Sequence, residues 1–314
     1  MGFTADEYVI FKLDKNDPRD YISETERLKF RGNLRGKSVI LDNKIVFYNI
    51  IRNFAEVNKI YGYKMQTSFV SLEPGWEENN IVEKVKEHHK LVYKKQGAGG
   101  GNGFKLLSYS NGIFYINNEI ASEKDITDLV VSQNDYLIEE FCVQAAFENE
   151  IYPHSVNTLR IITVEMKEAK HKAICAFHRF GVDAKKCVDN ACAGGLYAMI
   201  DVQSGKLSYA RSHAKEFFVD ENGKDIIFQN HPVTNHQIEG VIIPDWENIV
   251  FTVETLHKKI SFTGIDFIAW DIALTETGMK VIEANASCST DFLQTFEAHR
   301  KSELGKWLKD RGYI

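Results

Sequence analysis

Residues 265–285, IDFIAWDIALTETGMKVIEAN, hold two apolar runs around one polar break, a pattern that admits little besides a β-hairpin. The first run, 265–274, is strand-like. Glu276, Thr277 and Gly278 suit a three-residue hairpin loop, with the glycine in the left-handed position such loops need. That loop pairs Thr275 with Met279 and sets Asp271 opposite Glu283. Side chains alternate along a strand, so Asn285 shares their face. Three oxygen-bearing side chains then converge. Such a set suits Mg²⁺, which keeps waters and takes substrate phosphates as further ligands. A solvated sheet face is the ordinary role of polar strand residues. Asp271 fits it badly, because it sits among Phe267, Ala269 and Ala273, and an unpaired carboxylate is costly there.

A second feature concerns what such a metal would hold. Residues 91–95, LVYKK, read as a short strand, and residues 96–103, QGAGGGNG, follow. The glycines free the backbone to approach a ligand and to aim N–H groups at phosphate oxygens. The GxxxxGK[ST] phosphate loop and the GxGxxG dinucleotide fingerprint both lead into a helix, and neither is matched. Here FKLLSY continues as a strand, and Asn111-Gly112 turns into IFYIN. The segment reads as a glycine flap between antiparallel strands. A plain linker would carry Ser, Pro or charge and would not sit between apolar runs.

Taken in order, these stretches resemble the ATP-grasp superfamily, most closely its sugar-transfer-associated branch, related to α-L-glutamate ligases. The resemblance runs from about Asn43 to about Asn285. Lys94 falls at the family's strand lysine that contacts ATP phosphates, and the glycine flap follows without a gap. YLIEEF, residues 136–141, looks like the hinge strand that reads adenine, which makes Glu139, Glu140 and Phe141 nucleotide-side candidates. HSVNTLR, residues 154–160, is similar to the branch's Asn-Thr-Leu-Arg strand. Asp189-Asn190 with Gly194-Gly195 resembles its Asp-Asn…Gly-Gly motif, and His231-Pro232 and Pro244-Asp245-Trp246 also fit. Asp271, Glu283 and Asn285 fall on the metal-ligand positions. The sequence departs from the family in two places: Lys95 stands where Pro is usual, and Asn102 where a Lys is frequent.

The resemblance implies an α+β protein with the ATP-grasp fold, two α+β subdomains of mostly antiparallel sheet clasping ATP. It implies ATP-dependent joining of a carboxylate to an amine, with ATP and Mg²⁺ required. A carboxylate is a poor electrophile until its oxygen is phosphorylated to an acyl phosphate. The protein's part is positioning and charge neutralisation. On this reading Lys94, with Lys95, neutralises phosphate charge, and either lysine could face the nucleotide. Gly99, Gly100, Gly101, Asn102 and Gly103 close over the triphosphate and exclude water. Arg160 grips the substrate carboxylate or the transferring phosphate, joined by Arg179 from the neighbouring strand. Asn190, Gly194, Gly195 and His231 line the acceptor side. One of Glu139 and Glu140 contacts ribose or adenine, and alternation leaves open which. The branch's link to sugar transfer points to a uronic-acid-type or similar carboxylate in surface polysaccharide assembly. Two alternatives stand beside this reading: a kinase-like phosphotransferase on the same scaffold, and a non-catalytic nucleotide-binding protein.

Composition bounds the rest. At 314 residues with net charge −6, the chain carries no polyanion-binding footprint, so no nucleic acid partner is expected. No apolar stretch reaches the length of a membrane span. The first residues lack the layout of a secretory signal, and Asp6 spoils a myristoylation site at Gly2. The five cysteines include no CxxC pair, and an odd count argues against a disulfide framework. A cytoplasmic protein is expected. Cys288, three residues past Asn285, reads as a small buried thiol.

Four segments are expected: an N-terminal extension (1–37) with one helix after Pro18, a small α/β unit (38–90), a glycine-flap subdomain (91–141) and a second subdomain with the metal site (142–314). Ile45, Val46, Asn49, Ile50, Phe54, Val57 and Ile60 recur at helical spacing and predict one helix ending near Gly62. Further helices are expected over 77–89, over 143–151, after an Asp245 N-cap through Ile260, and over 295–311. Strands are expected over 66–72, 159–166 and 172–180. Lys44 reads as solvated, and His88, His89, His154, His178 and Asp266 as structural or surface residues.

Overall fold

The computed structural model describes residues 2–97, 99–213 and 219–314. Strands β1 (Ile60–Met65), β2 (Ser68–Ser71), β3 (Lys90–Lys95), β4 (Lys105–Ser110), β5 (Ile113–Ile116), β6 (Glu119–Ala121) and β7 (Tyr136–Glu140) form one antiparallel sheet in the order β2-β1-β7-β3-β4-β5-β6. Strands β8 (Thr158–Glu165), β9 (His171–Phe180), β10 (Leu196–Ile200), β11 (Leu207–Ser212), β12 (Phe267–Thr275) and β13 (Gly278–Asn285) form a second, in the order β11-β10-β9-β8-β12-β13. Segments 38–90 and 91–141 thus contribute strands to a single sheet.

Nine helices punctuate these strands among the described residues: α1 (Ala5–Ile10), α2 (Glu24–Asp42), α3 (Lys44–Ile51), α4 (Ile81–His88), α5 (Glu123–Ser132), α6 (Ala146–Ile151), α7 (Trp246–Lys259), α8 (Thr290–Gln294) and α9 (Glu303–Asp310). Helices α4 and α5 cover the first sheet, burying Ile81, Val85, Ile126 and Val130 against Leu91, Tyr93 and Leu107. The larger core belongs to the second sheet, where α2 and α7 bring Phe30, Leu34, Val253 and Leu256 onto Ile161, Phe177 and Trp270. Phe30 meets Phe267 edge-on, ring centroids 5.1 Å apart, so the N-terminal residues are anchored on the second sheet. Burying such apolar and aromatic surface favours the folded state.

Several expected elements differ. Segment 1–37 carries α1, begun by a Thr4 capping box, and most of α2, which runs on to Asp42. The helix expected to run from Ile45 toward Gly62 stops at Ile51. Beyond it Val57 bridges Val281 of β13, and Ile60 and Gly62 enter β1, so tertiary partners override the helical spacing. Helix α6 begins three residues later than expected, and the C-terminal helix is two short ones, with residues 295–302 between them. Asp245 precedes α7 but does not cap it. Its backbone is left-handed (φ 55°), and its carboxylate accepts from Asn248 instead.

The metal-site hairpin reaches the expected pairing by another route. Thr275 pairs with Gly278, so the loop has two residues rather than three. The extra residue lies farther along, where the register shifts by one between Asp271 and Ile272 and leaves Ile282 as a bulge. Asp271 is still opposite Glu283, and Asn285 is opposite Ala269.

Candidate active site

A cleft of about 900 Å³ is lined from both sheets and from the glycine loop. The first sheet brings Lys94 and Glu139, on adjacent strands β3 and β7. Lys94 Nζ lies 2.5 Å from Glu139 Oε2, and Asn58 donates to Oε1 at 3.0 Å. Glu139 is buried. Glu140, on the opposite face of the strand, is bound by Lys280 at 3.0 Å and by the Lys59 N–H at 3.2 Å. Lys94 is turned inward while Lys95 is exposed, although both line the cleft. Phe141 lines it too, with Lys90 over its ring at 4.9 Å. Tyr61, stacked on Trp76 at 4.0 Å, adds an aromatic wall.

The loop between β3 and β4 bounds the cleft through Gly99, Gly100, Gly101 and Asn102. Gly100 and Gly101 have φ of 71° and 75°, and a Cβ on Gly101 would press on Val188 at 3.3 Å. Only glycine suits that turn and that close approach. Gly103 turns away, against the Tyr136 hydroxyl, and Ala98 lies outside the described residues.

The second sheet contributes the charge cluster. Asp271 is the cross-strand neighbour of both Arg160 and Glu283. Arg160 Nε donates to Asp271 Oδ1 and Nη2 donates to Oδ2 at 2.8 Å, while Arg179 Nη2 lies 3.1 Å from Oδ2. Arg179 also donates to Thr158 Oγ1 at 3.0 Å and lies 3.4 Å from Asp189. Burial works to raise the Asp271 pKa, and the two guanidiniums outweigh it, holding the carboxyl at about 2. Glu283 moves the other way. Burial first, then the Asp271 charge, push it above the ordinary carboxylate range, with Lys44 and Lys94 opposing.

Lys44 is the residue the sequence reading missed. It opens α3 with its side chain 14% exposed, lines the cleft and sits 3.8 Å from Glu283. A cation in the first turn opposes the helix dipole, and that is the one signal that marked it. Cys288 is buried, as expected, and also lines the cleft, 3.9 Å from Arg160 Nη1. His154 lines the cleft as well.

Other expected residues lie outside the cleft lining. His231 is fully buried, its Nε2 donating to the Gly181 carbonyl at 2.8 Å and its ring stacked on Tyr152 at 4.9 Å, so it is a packing residue of its loop. Gly194 and Gly195 shape the turn after Asn190 rather than line the cleft. A Cβ on Gly195 would meet the Asp189 carbonyl at 2.6 Å. Asn190 does line it, and its side chain caps the turn by accepting from the Cys192 N–H at 2.9 Å.

The Asp271–Glu283–Asn285 set fits a hard cation. All three offer oxygen. The arginine contacts occupy three of the roughly four acceptor positions of Asp271 and leave one on Oδ1. Added positive charge would relieve the raised Glu283. Asn285 Nδ2 is buried without a hydrogen-bond partner, and half a turn of the amide would put an oxygen there for a cation to satisfy. Among the described residues no three His, Cys, Asp or Glu side chains group to hold a metal, so phosphate and water would complete the shell. No helix of the described residues is long and apolar enough to cross a membrane.

The family model described as sugar-transfer associated ATP-grasp matches residues 23–300. No curated protein matches the chain in sequence. Among solved structures, D-alanyl-alanine synthetase A from Vibrio cholerae is similar over 88% of this chain and 66% of its own, at 11% identity and a TM-score of 0.50. The ATP-grasp ligase PsnB, complexed with a minimal precursor, Mg and ADP, is similar over 88% of this chain and 59% of its own, at 11% identity and a TM-score of 0.42. N5-carboxyaminoimidazole synthetase from Staphylococcus aureus, complexed with ADP, is similar over 80% and 46%, at 9% identity and a TM-score of 0.42. The chain spans less than two thirds of each of these three. The expected fold class is the observed one, an α+β ATP-grasp fold with antiparallel sheets.

Proposed function

The chain belongs to the sugar-transfer-associated ATP-grasp family, and from that premise we propose that it is an ATP-dependent ligase joining a carboxylate to an amine. The carboxylate would be of uronic-acid or similar type, in surface polysaccharide assembly. The observation that supports the reading best is the meeting of Arg160, Arg179, Lys44 and Lys94 with Asp271 and Glu283, in one cleft with the glycine loop.

The substrate carboxylate oxygen attacks the γ-phosphorus of ATP, the bond to ADP breaks, and an acyl phosphate results. The amine then attacks the acyl carbon, phosphate leaves with the bonding electrons, and the amine loses a proton. Lys94 and Lys44 supply positive charge for the phosphates. Arg160, pinned on Asp271 through Nε and Nη2, keeps Nη1 for the substrate carboxylate or the transferring phosphoryl group. Arg179 holds Asp271 from the far side. The glycine loop excludes water that would hydrolyse the activated acyl group. Asp271, Glu283 and Asn285 would hold Mg²⁺, which when bound neutralises β- and γ-phosphate oxygens. Glu139 and Phe141 would flank the nucleoside.

The test is hydroxylamine trapping with ATP, Mg²⁺ and a panel of uronic acids. A hydroxamate formed with ADP supports the ligase. A stable phosphoester identifies a kinase instead, and nucleotide binding without ADP release identifies a binding protein.

A further inference from the structure

Cys192, His213 and Asp291 stand together next to the cleft, and the reaction above uses none of them. His213 Nδ1 is 3.9 Å from Cys192 Sγ, and His213 Nε2 is 2.9 Å from Asp291 Oδ2. The three come from separate places in the chain. Cys192 sits in the short turn Ala191–Ala193, His213 follows β11, and Asp291 lies in α8. A thiol, an imidazole at its side and a carboxylate behind the imidazole form the arrangement of an activated nucleophile.

Their surroundings fit that use. Cys192 is exposed, whereas Cys142, Cys175, Cys187 and Cys288 are all buried. Its turn is held rigid from both sides. Asn190 accepts from the Cys192 N–H at 2.9 Å, and Lys186 Nζ donates to the Ala193 carbonyl at 2.6 Å. His213 is 14% exposed and stands between Cys192 and Asp291. Burial disfavours charge on that ring, and the pairing with Asp291 and Cys192 outweighs it, raising the pKa to about 10. Reactive cysteines occupy such electropositive, partly accessible settings. Asn190 and Ser289, each two residues before a member of the cluster, line the cleft. The glycine loop reaches the same turn: a Cβ on Gly100 would lie 3.9 Å from Asn190 Nδ2.

We propose that Cys192, with His213 and Asp291, is a second catalytic centre that receives the activated acyl group as a thioester before the amine attacks. The inference rests on the ligase reading for its acyl donor. As sulfur attacks the acyl carbon of the acyl phosphate beside His213, the Cys192 proton passes to solvent. The carbon–oxygen bond to phosphate breaks, and phosphate departs with the electron pair. The amine then attacks the thioester carbonyl, the carbon–sulfur bond breaks, sulfur leaves as thiolate, and the amine's proton passes to solvent. Nothing is oxidised or reduced.

Acetyl phosphate tests this without ATP, because it enters as an already activated acyl group. The full-length protein is incubated with it and mapped by peptide mass spectrometry. The expected result is an acetyl group on Cys192 that neutral hydroxylamine removes, absent in Cys192→Ser and formed at least tenfold more slowly in His213→Gln and Asp291→Asn. Thermal melts of these variants matching the wild type would exclude misfolding as the cause. Acetylation confined to lysines, or equal Cys192 labelling in wild type and His213→Gln, overturns the proposal. So does wild-type amide formation by Cys192→Ser. Cys192 acetylation in a protein that yields no hydroxamate with ATP would keep the nucleophilic centre and overturn the ligase reading instead.

Discussion

Asp271 is the direct cross-strand partner of Arg160, and its carboxylate binds two nitrogens of that guanidinium while Arg179 reaches the same carboxylate from β9. Asp271 is 3% exposed and Arg160 14%. Removing one member of a buried pair strands the other, which costs about 3–5 kcal/mol. Asp271→Ala is therefore expected to lower the unfolding free energy by about that amount in urea titrations. A loss under about 1 kcal/mol would mean the two arginines find water or other partners. Arg160→Ala is expected to reduce turnover more than nucleotide affinity, read from kcat against the analogue Kd. A selective loss of nucleotide affinity would move Arg160 to the ATP phosphates.

Glu283 sits on the other side of Asp271, and two neighbouring carboxylates, one buried and one half-buried, favour a bound cation. Glu283→Ala is expected to abolish Mg²⁺-dependent turnover. In thermal melts the wild type should gain about 2.7 kcal/mol at ~100 times the Kd of a non-hydrolysable ATP analogue with Mg²⁺, a shift of several degrees. The variant should lose the Mg²⁺-dependent part of that shift. Near-normal turnover in Glu283→Ala would remove the metal assignment.

Lys44 reaches the cleft from α3, an element remote from both arginines in sequence. Lys44→Met keeps most of the side-chain volume and removes the charge. A drop in kcat/KM of at least ~10-fold, about 1.4 kcal/mol of transition-state stabilisation, is expected with an unchanged melting temperature. Unchanged kinetics would return Lys44 to a purely structural role.

His257 predicts an acid limit on stability. It is fully buried, with Nε2 3.0 Å from Ile265 O and Nδ1 2.8 Å from Thr163 Oγ1, which itself accepts from Trp270. A carbonyl needs a donor, so Nε2 carries the hydrogen and Nδ1 accepts from the threonine. Burial, reinforced by nearby His171 and opposed by the Ile265 carbonyl, lowers the pKa from 6.5 to about 4. The unfolded chain then binds the proton first as pH falls. His257's contribution is complete above 6.5 and lost toward 4. The stability of wild type minus that of His257→Gln is expected to fall by on the order of 3 kcal/mol across that window. A difference flat with pH would show that the imidazole is accommodated charged.

The hairpin shows what pattern reading can and cannot reach. Alternation and apolar content placed Asp271, Glu283 and Asn285 on one face, and the cleft lining includes all three. The extra residue, however, is at Ile282 rather than in the loop, because a bulge depends on neighbouring strands that local sequence does not describe. Helical spacing from Ile45 likewise carried past Ile51, since Val57 and Ile60 satisfy their backbones on β13 and β7. His231 was expected on the acceptor side of the site, but Tyr152 and Gly181 bury it from elsewhere in the chain.

By itself the sequence determined some local matters: that the 265–285 runs form a hairpin, that a glycine loop joins two strands, and which polar residues share a strand face. These follow from side-chain periodicity and backbone freedom, both properties of neighbouring residues. Only the tertiary structure decided that Lys94 turns to Glu139, that Lys44 enters the cleft, that two arginines converge on Asp271, and that Cys192 meets His213 and Asp291. Each of those meetings joins residues from separate elements, and their charge and reactivity depend on burial and partners that exist only once the two sheets have packed.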